Sequence, residues 1–258
     1  RIPFFYTQRS SAIDGTLHLL RLVALDFHVT QGLWYPDWLP ELAAGYGYPL
    51  LHFYSPSTYY LAEIFHLAGL SHTHALVATY LVLTFIASVG IYRLCADLIQ
   101  PPTDGLESDD RGTWLIPLAV SALYLFTPYF LINVYMRGAL GETGAQALLP
   151  WVFWSFRRLL YSPAPTRYIF PAMLSLGLLA LTHTITLVFT APLLLLYLCC
   201  GLLWGGMIAT DTHAQRKRIG LIILSLIAAA GWSAFFWLPA LFERKWIASY
   251  AFEFARGQ

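Results

Sequence analysis

Charge is what this sequence has least of. Only 11% of its 258 residues are Asp, Glu, Lys or Arg, while 58% are hydrophobic. Soluble domains carry roughly 25% charged residues. A chain with less than half that supply cannot cover itself with water, so lipid must cover the surplus. The net charge of +1 says nothing about nucleic acid, and no basic patch stands apart from the membrane edges. Cysteine is scarce too. Cys95, Cys199 and Cys200 lie in or beside apolar runs, and an odd count with one adjacent pair excludes a disulfide framework. No phosphate-binding glycine loop, G-x-S-x-G elbow or H-E-x-x-H helix occurs, so ATP-driven and hydrolase readings have no support. No internal repeat recurs at a fixed period. The chain opens at Arg1 without a signal-peptide pattern and stops at Gln258 without a terminating motif; a piece of a longer chain is expected.

What remains reads as an all-α polytopic membrane domain, 1–258, with a long external first segment over 1–70. About six transmembrane helices over 74–240 follow it, near 74–95, 113–132, 142–160, 168–182, 185–206 and 219–240. Residues 1–13 read as loop. Asp14 is placed as the N-cap of a helix running from Gly15 to Gln31, with Gly32 beyond its end. On it, Asp14, His18, Arg21, Leu25 and His28 share one side and Leu17, Leu20, Ala24 and Phe27 another, the pattern of a helix lying on a membrane surface. The following aromatic stretch is broken by Pro36, Pro40, Pro49 and Pro56. Trp34, Tyr35, Trp38, Tyr46, Tyr48 and Tyr54 suit the lipid–water boundary, and Gly45 and Gly47 permit a tight turn. Residues 57–70, with Glu63 and His66, are too short to span.

The positive-inside rule assigns the sides. Arg93 and Arg111, Arg157, Arg158 and Arg167, and Arg216 to Arg218 fall together on the cytoplasmic side, as does the acidic run over 101–113. Asp14, Arg137, Glu142, His183 and Glu243 fall on the external side.

Four external residues carry potential chemistry. A carboxylate at Asp14, backed by His18 and Arg21, suits a general base or a metal ligand, although a helix cap alone explains an Asp there. Arg137 and Glu142 flank the turn RGALGE; Arg grips phosphates through paired donors, but an Arg–Glu pair tying down a loop fits equally. His183, in LTHTIT between apolar runs, must be paired or face water. His72 and His74, lacking a third partner, read as loop residues rather than metal ligands.

The order D-G-x-x-H-x-x-R, G-x-x-Y-P-x-W, G-Y-G-Y-P-x-x-x-F-Y-x-P, R-G-A-L-x-E and L-T-H resembles a bacterial multi-pass membrane family labelled 6-pyruvoyl-tetrahydropterin synthase-related, membrane domain. That family looks like part of the GT-C class of glycosyltransferases. The resemblance covers Asp14 to about Trp237. It implies a GT-C-like bundle in the bacterial inner membrane with its active face external. The implied donor is a polyprenyl-phosphate-linked sugar, and the acceptor a glycan, lipid or protein. Catalysis would fall to Asp14 and substrate binding to His18, Arg21, Trp38, Tyr46, Tyr54, Arg137, Glu142 and His183. Many GT-C enzymes pair two carboxylates at this place. Here Gly15 follows Asp14, so the cofactor stays open between none and a divalent metal. Pterin chemistry is not implied, since no zinc-binding His triad stands out. The alternative is a non-enzymatic membrane protein that binds or moves lipid-linked glycans, or a structural scaffold. Against a transporter stands the clustering of charge at one face rather than at mid-membrane.

Overall fold

The computed structural model describes residues 14–99, 114–208 and 212–243. The loop over 1–13, the acidic run over 101–113 with Arg111, and the tail beyond Glu243 lie outside the described residues. Among the described residues the chain is helical, with one isolated antiparallel bridge between Leu39 and Tyr48. The helices are α1 (Gly15–Val29), α2 (Leu50–Phe53), α3 (Ser57–Leu67), α4 (His72–Ile99), α5 (Leu115–Leu125), α6 (Pro128–Leu131), α7 (Leu140–Tyr161), α8 (Ile169–Thr182), α9 (Thr184–Ile208), α10 (Thr212–Trp232) and α11 (Ala234–Glu243). A π turn, Ile132–Arg137, follows α6.

The bundle is built around α7. Its first half is rich in small residues, and Gly141, Thr143, Gly144, Ala145 and Ala147 are all buried. Small residues let helix backbones close on one another where side-chain volume would hold them apart. At Gly144 an added Cβ would stand 2.6 Å from Thr182 and 2.9 Å from Thr58, so α3 and α8 sit directly on α7. On its other side α7 meets α4, where the Trp151 indole lies over Gly90 and donates to the Ile86 carbonyl at 2.9 Å. From there α5 packs on α4, α10 on α8, and α1 against α3 and α4.

Chain direction alternates, which sorts polar residues to two ends. From Glu142 to Arg158, α7 rises about 24 Å. At the far end Arg158 pairs with Asp97 of α4, Arg157 donates to the Asp97 carbonyl at 2.9 Å, and Arg218 of α10 donates to the Leu159 carbonyl at 3.1 Å. Of the basic residues grouped by the sequence, Arg157, Arg158 and Arg218 therefore lie together at one end with Asp97. At the near end lie α1, the π turn, the start of α7 and the α8–α9 junction.

Among the described residues two helices, His72–Ile99 and Thr184–Leu203, are long and apolar enough to cross a membrane, and up to four spans result if each bent pair counts as one. The bent pairs are α5 with Pro128–Arg137, at 50°, and α10 with α11, at 67°. The sequence expected about six. The 14 residues of α8 rise only about 21 Å, short of a hydrocarbon core of about 30 Å. The ends of α7 carry Glu142, Arg157 and Arg158, which lower its mean hydropathy. The outward faces of α4, α5 and α9 are nonetheless apolar, with Phe85, Leu123 and Phe189 exposed. Surfaces of that kind need a cover other than water.

α1 is two-sided, with His18 and Leu25 buried beside Leu22 and Val29, and Leu17, Leu20 and Phe27 exposed. Ala24, placed on the outward side by spacing, is buried against the bundle. The helix ends at Val29 rather than Gln31. His72 and His74 belong to the first turn of α4 rather than to a loop.

Candidate functional site

Four segments distant in sequence meet at the near end of the bundle: the start of α1, Tyr54 just after α2, the Arg137 turn with the start of α7, and the His183 junction. Together they line an open cavity of about 180 Å³.

Asp14 stands at the N-cap position of α1, yet its side chain makes no capping hydrogen bond. Its backbone is already helical (φ −94°, ψ −12°), whereas a capping side chain works from the extended region. The expected cap role is thus corrected. The Asp14 N–H donates to the Arg137 carbonyl at 2.7 Å, and its carboxylate lies 3.8 Å from the Arg137 guanidinium. An acid tethered through its backbone keeps its carboxylate for other partners.

One turn on, His18 is buried, and its tautomer follows from its neighbours. The Leu140 N–H donates to Nε2 at 3.4 Å, so the ring proton sits on Nδ1, which donates to the Tyr59 hydroxyl at 2.7 Å. Burial, helped by Arg21 and opposed by Asp14, lowers the His18 pKa to about 4. Arg21 donates to the same hydroxyl at 3.2 Å and lies 4.5 Å over the Tyr54 ring. Burial in turn raises the Tyr54 phenol above its ordinary range.

Arg137 ends the π turn. Gly138 takes a left-handed conformation (φ 65°), which glycine adopts without strain, and the chain reverses into α7. The reversal brings Glu142 under the guanidinium, giving paired contacts at 2.8 and 2.9 Å, with a third donation to the Asn133 side chain at 3.1 Å. Tyr129 donates to Glu142 at 2.6 Å. Glu142 lines the cavity, and its carboxylate is committed to holding Arg137.

His183 breaks the helix between α8 and α9 with extended backbone (φ −158°, ψ 102°). The Thr186 N–H donates to its Nδ1 at 3.3 Å, so the neutral ring carries its proton on Nε2. Burial lowers its pKa, against the pull of Glu142. Gly141 makes room for it: an added Cβ would stand 3.3 Å from the His183 ring and 3.2 Å from the Thr182 carbonyl.

Of the sequence-predicted site residues, Asp14, His18, Arg21, Tyr54, Arg137, Glu142 and His183 line this cavity. Trp38 and Tyr46 do not, and their expected place in the site is corrected. The turn through Ala43, Ala44 and Gly45 carries Tyr46 outward, where it is 87% exposed. The Trp38 ring lies against Gly47, where a Cβ would stand 2.2 Å from its Nε1. Tyr59, which joins His18 to Arg21, was not singled out by the sequence; its only signal was its place a few residues beyond Tyr54. Asn133 and Tyr129, which steady Arg137 and Glu142, were also missed.

The cavity holds two carboxylates and two guanidiniums, with two neutral imidazoles. A divalent ion at Asp14 and Glu142 would have to displace Arg137 from between them. The donor set fits an anionic group beside a general base better than it fits a cation.

The chain is 25% identical over 243 residues to an uncharacterized protein of Lactococcus lactis subsp. cremoris (strain MG1363), an alignment covering 94% of this chain and 38% of that protein. It thus spans well under half the length of the relative it matches. No protein-family model matches the chain, and no solved structure does.

Proposed function

We propose that this chain is the multi-pass membrane domain of a GT-C-like glycosyltransferase in a bacterial inner membrane, with the α1 end external. A sugar passes from polyprenyl phosphate to an acceptor hydroxyl. Asp14 takes the hydroxyl proton as the oxygen attacks the anomeric carbon. The bond from that carbon to the phosphate oxygen breaks, and polyprenyl phosphate leaves with the electron pair. Arg21, Arg137 and the Nε2–H of His183 face the charge that grows on it.

The observation that carries this reading is the convergence of Asp14, Arg21, Arg137 and His183 on one cavity, with the Asp14 carboxylate free of a capping role. The surroundings favour a lipid-linked donor. An apolar groove of about 310 Å³ runs between α8, α9 and α10 and includes Ala180 and Leu187, within about one turn of His183 on either side. A prenyl chain lying there would put its phosphate near that imidazole. The resemblance to the pterin synthase-related membrane family agrees with this assignment.

The test is release of polyprenyl phosphate from polyprenyl-phosphate hexoses by the full-length protein in lipid nanodiscs. Asp14→Asn should lower transfer by roughly 10²–10⁴-fold while melting with the wild type, since no cap is lost. An Asn variant with full transfer would leave Asp14 without a role in the chemistry, and a wild type inert towards every donor would favour a carrier of lipid-linked glycans.

A further inference from the structure

The other end of α1, about 18 Å from Asp14 along the helix, carries a second polar cluster that the proposed reaction does not use. Asp26 of α1 meets His66 of α3 and His72 of α4. One Asp26 oxygen is 3.5 Å from His66 Nε2, and the other is 3.1 Å from His72 Nε2. The two imidazoles stack with centroids 3.8 Å apart and planes 20° apart. The three donor groups each offer an atom within 4.8 Å of the others.

Two features of this cluster are unbalanced as it stands. His66 Nδ1 bonds the Leu70 carbonyl at 2.7 Å. A carbonyl only accepts, so the ring proton is on Nδ1, and the bare Nε2 lone pair of the neutral ring faces a carboxylate oxygen. The second feature is Glu63, one turn before His66 on α3. It is 2% exposed, no donor of the protein reaches either carboxylate oxygen, and it lies against the Asp26 carboxylate, close enough to feel both Asp26 and His66. Two carboxylates crowded together in a buried place call for a positive charge between them.

We propose that Asp26, His66 and His72, with Glu63 nearby as a second carboxylate, bind one divalent transition-metal ion, zinc by preference. Two ligand atoms about 2.0–2.1 Å from a tetrahedral ion stand about 3.3 Å apart; the contacts from the two Asp26 oxygens, 3.5 and 3.1 Å, lie near that value, and one ligand atom from each residue already lies within 4.8 Å of the others. Two imidazoles with carboxylates are a donor set that suits zinc. The His66–Leu70 bond is the outer contact that metal-ligating histidines characteristically make, fixing the tautomer that presents Nε2. The side chains of Asp26, His66 and His72 are 17–27% exposed, so an ion can reach them from solvent. Bound there, it would fasten the end of α1 to α3 and α4 and hold the helix that carries Asp14.

The experiment uses full-length protein in detergent, stripped with a chelator and dialysed. Zn²⁺ content is measured after reloading, and Co²⁺ uptake is followed by its visible absorption. One ion per chain is expected, with the intense bands of tetrahedral Co²⁺ displaced by Zn²⁺. His66→Ala and His72→Ala should each abolish stoichiometric loading, and Glu63→Gln should weaken it roughly 10–100-fold. His74→Ala should leave it unchanged, since that ring bonds Ser71. Wild-type protein that takes up neither ion stoichiometrically would overturn the proposal, whatever the variants do. Loading that survives loss of both histidines would overturn it too.

Discussion

The two ends of the bundle are made from the same chemical parts and put them to different uses. At the far end Arg158 pairs with Asp97, whose side chain is only 6% exposed, and the guanidinium lies within 6 Å of the Trp154 and Tyr168 rings. At the near end Arg137 pairs with Glu142, but the guanidinium is 38% exposed and opens onto a cavity shared with Asp14 and His183. An Arg–carboxylate pair is therefore not itself the mark of a site. What separates the ends is access, together with an acid and an imidazole whose outward-facing atoms are not used up by the fold.

The contrast makes opposite forecasts for the two arginines. Arg158→Ala strands a buried carboxylate and should cost about 3–5 kcal/mol of stability, leaving transfer per folded molecule unchanged. Arg137→Ala should lower transfer roughly 10²–10³-fold, the usual loss on removing a donor aimed at developing charge. Its stability cost should be smaller, about 1–3 kcal/mol for the lost charged hydrogen bonds. Thermal melts alongside turnover separate the two, and a swap of these phenotypes would end the comparison.

Acid should act through the near end. The native His18 pKa of about 4 lies below the ordinary value of about 6.5, so the unfolded chain takes up the proton first. Stability present above pH 6.5 is then lost as the pH falls towards 4, by about 3 kcal/mol in all. The lowered His183 pKa adds in the same direction. Melting temperatures between pH 7.5 and pH 4 check this, and His18→Gln should flatten the slope. An equal slope in that variant would place the titration elsewhere.

The smallest effect is expected at the exposed aromatics. Trp38→Ala and Tyr46→Ala should change transfer by less than about threefold, because neither ring reaches the cavity. A large loss from either would mean that the acceptor extends along the 32–48 segment.

How much of this was legible depends on how local each feature is. Asp14, His18 and Arg21 share a face because a helix returns every three to four residues, and Arg137 with Glu142 needs only the Gly138 reversal. These could be read directly. The choice of wall residues among six aromatics could not, because Pro and Gly turns aim each ring and their composition alone does not say where. Tyr59 stayed hidden because its two partners lie 38 and 41 residues away. The Asp26 cluster was illegible for the same reason: Asp26 lies 46 residues from His72, and only the packing of α1 on α3 and α4 brings it to His66 and His72. Two of the expected spans are not long and apolar enough to cross, α8 for its length and α7 for the charges at its ends.

The central claim is that the near end, rather than the far end, receives the phosphate. An electron cryo-microscopy map of the full-length protein with polyprenyl phosphate would test it most directly. The account predicts phosphate density about 3 Å from His183 Nε2 and within reach of Arg21 or Arg137, with the prenyl chain in the groove between α8, α9 and α10. Phosphate density instead beside Arg157, Arg158 and Arg218, with the Asp14 cavity empty, would contradict it.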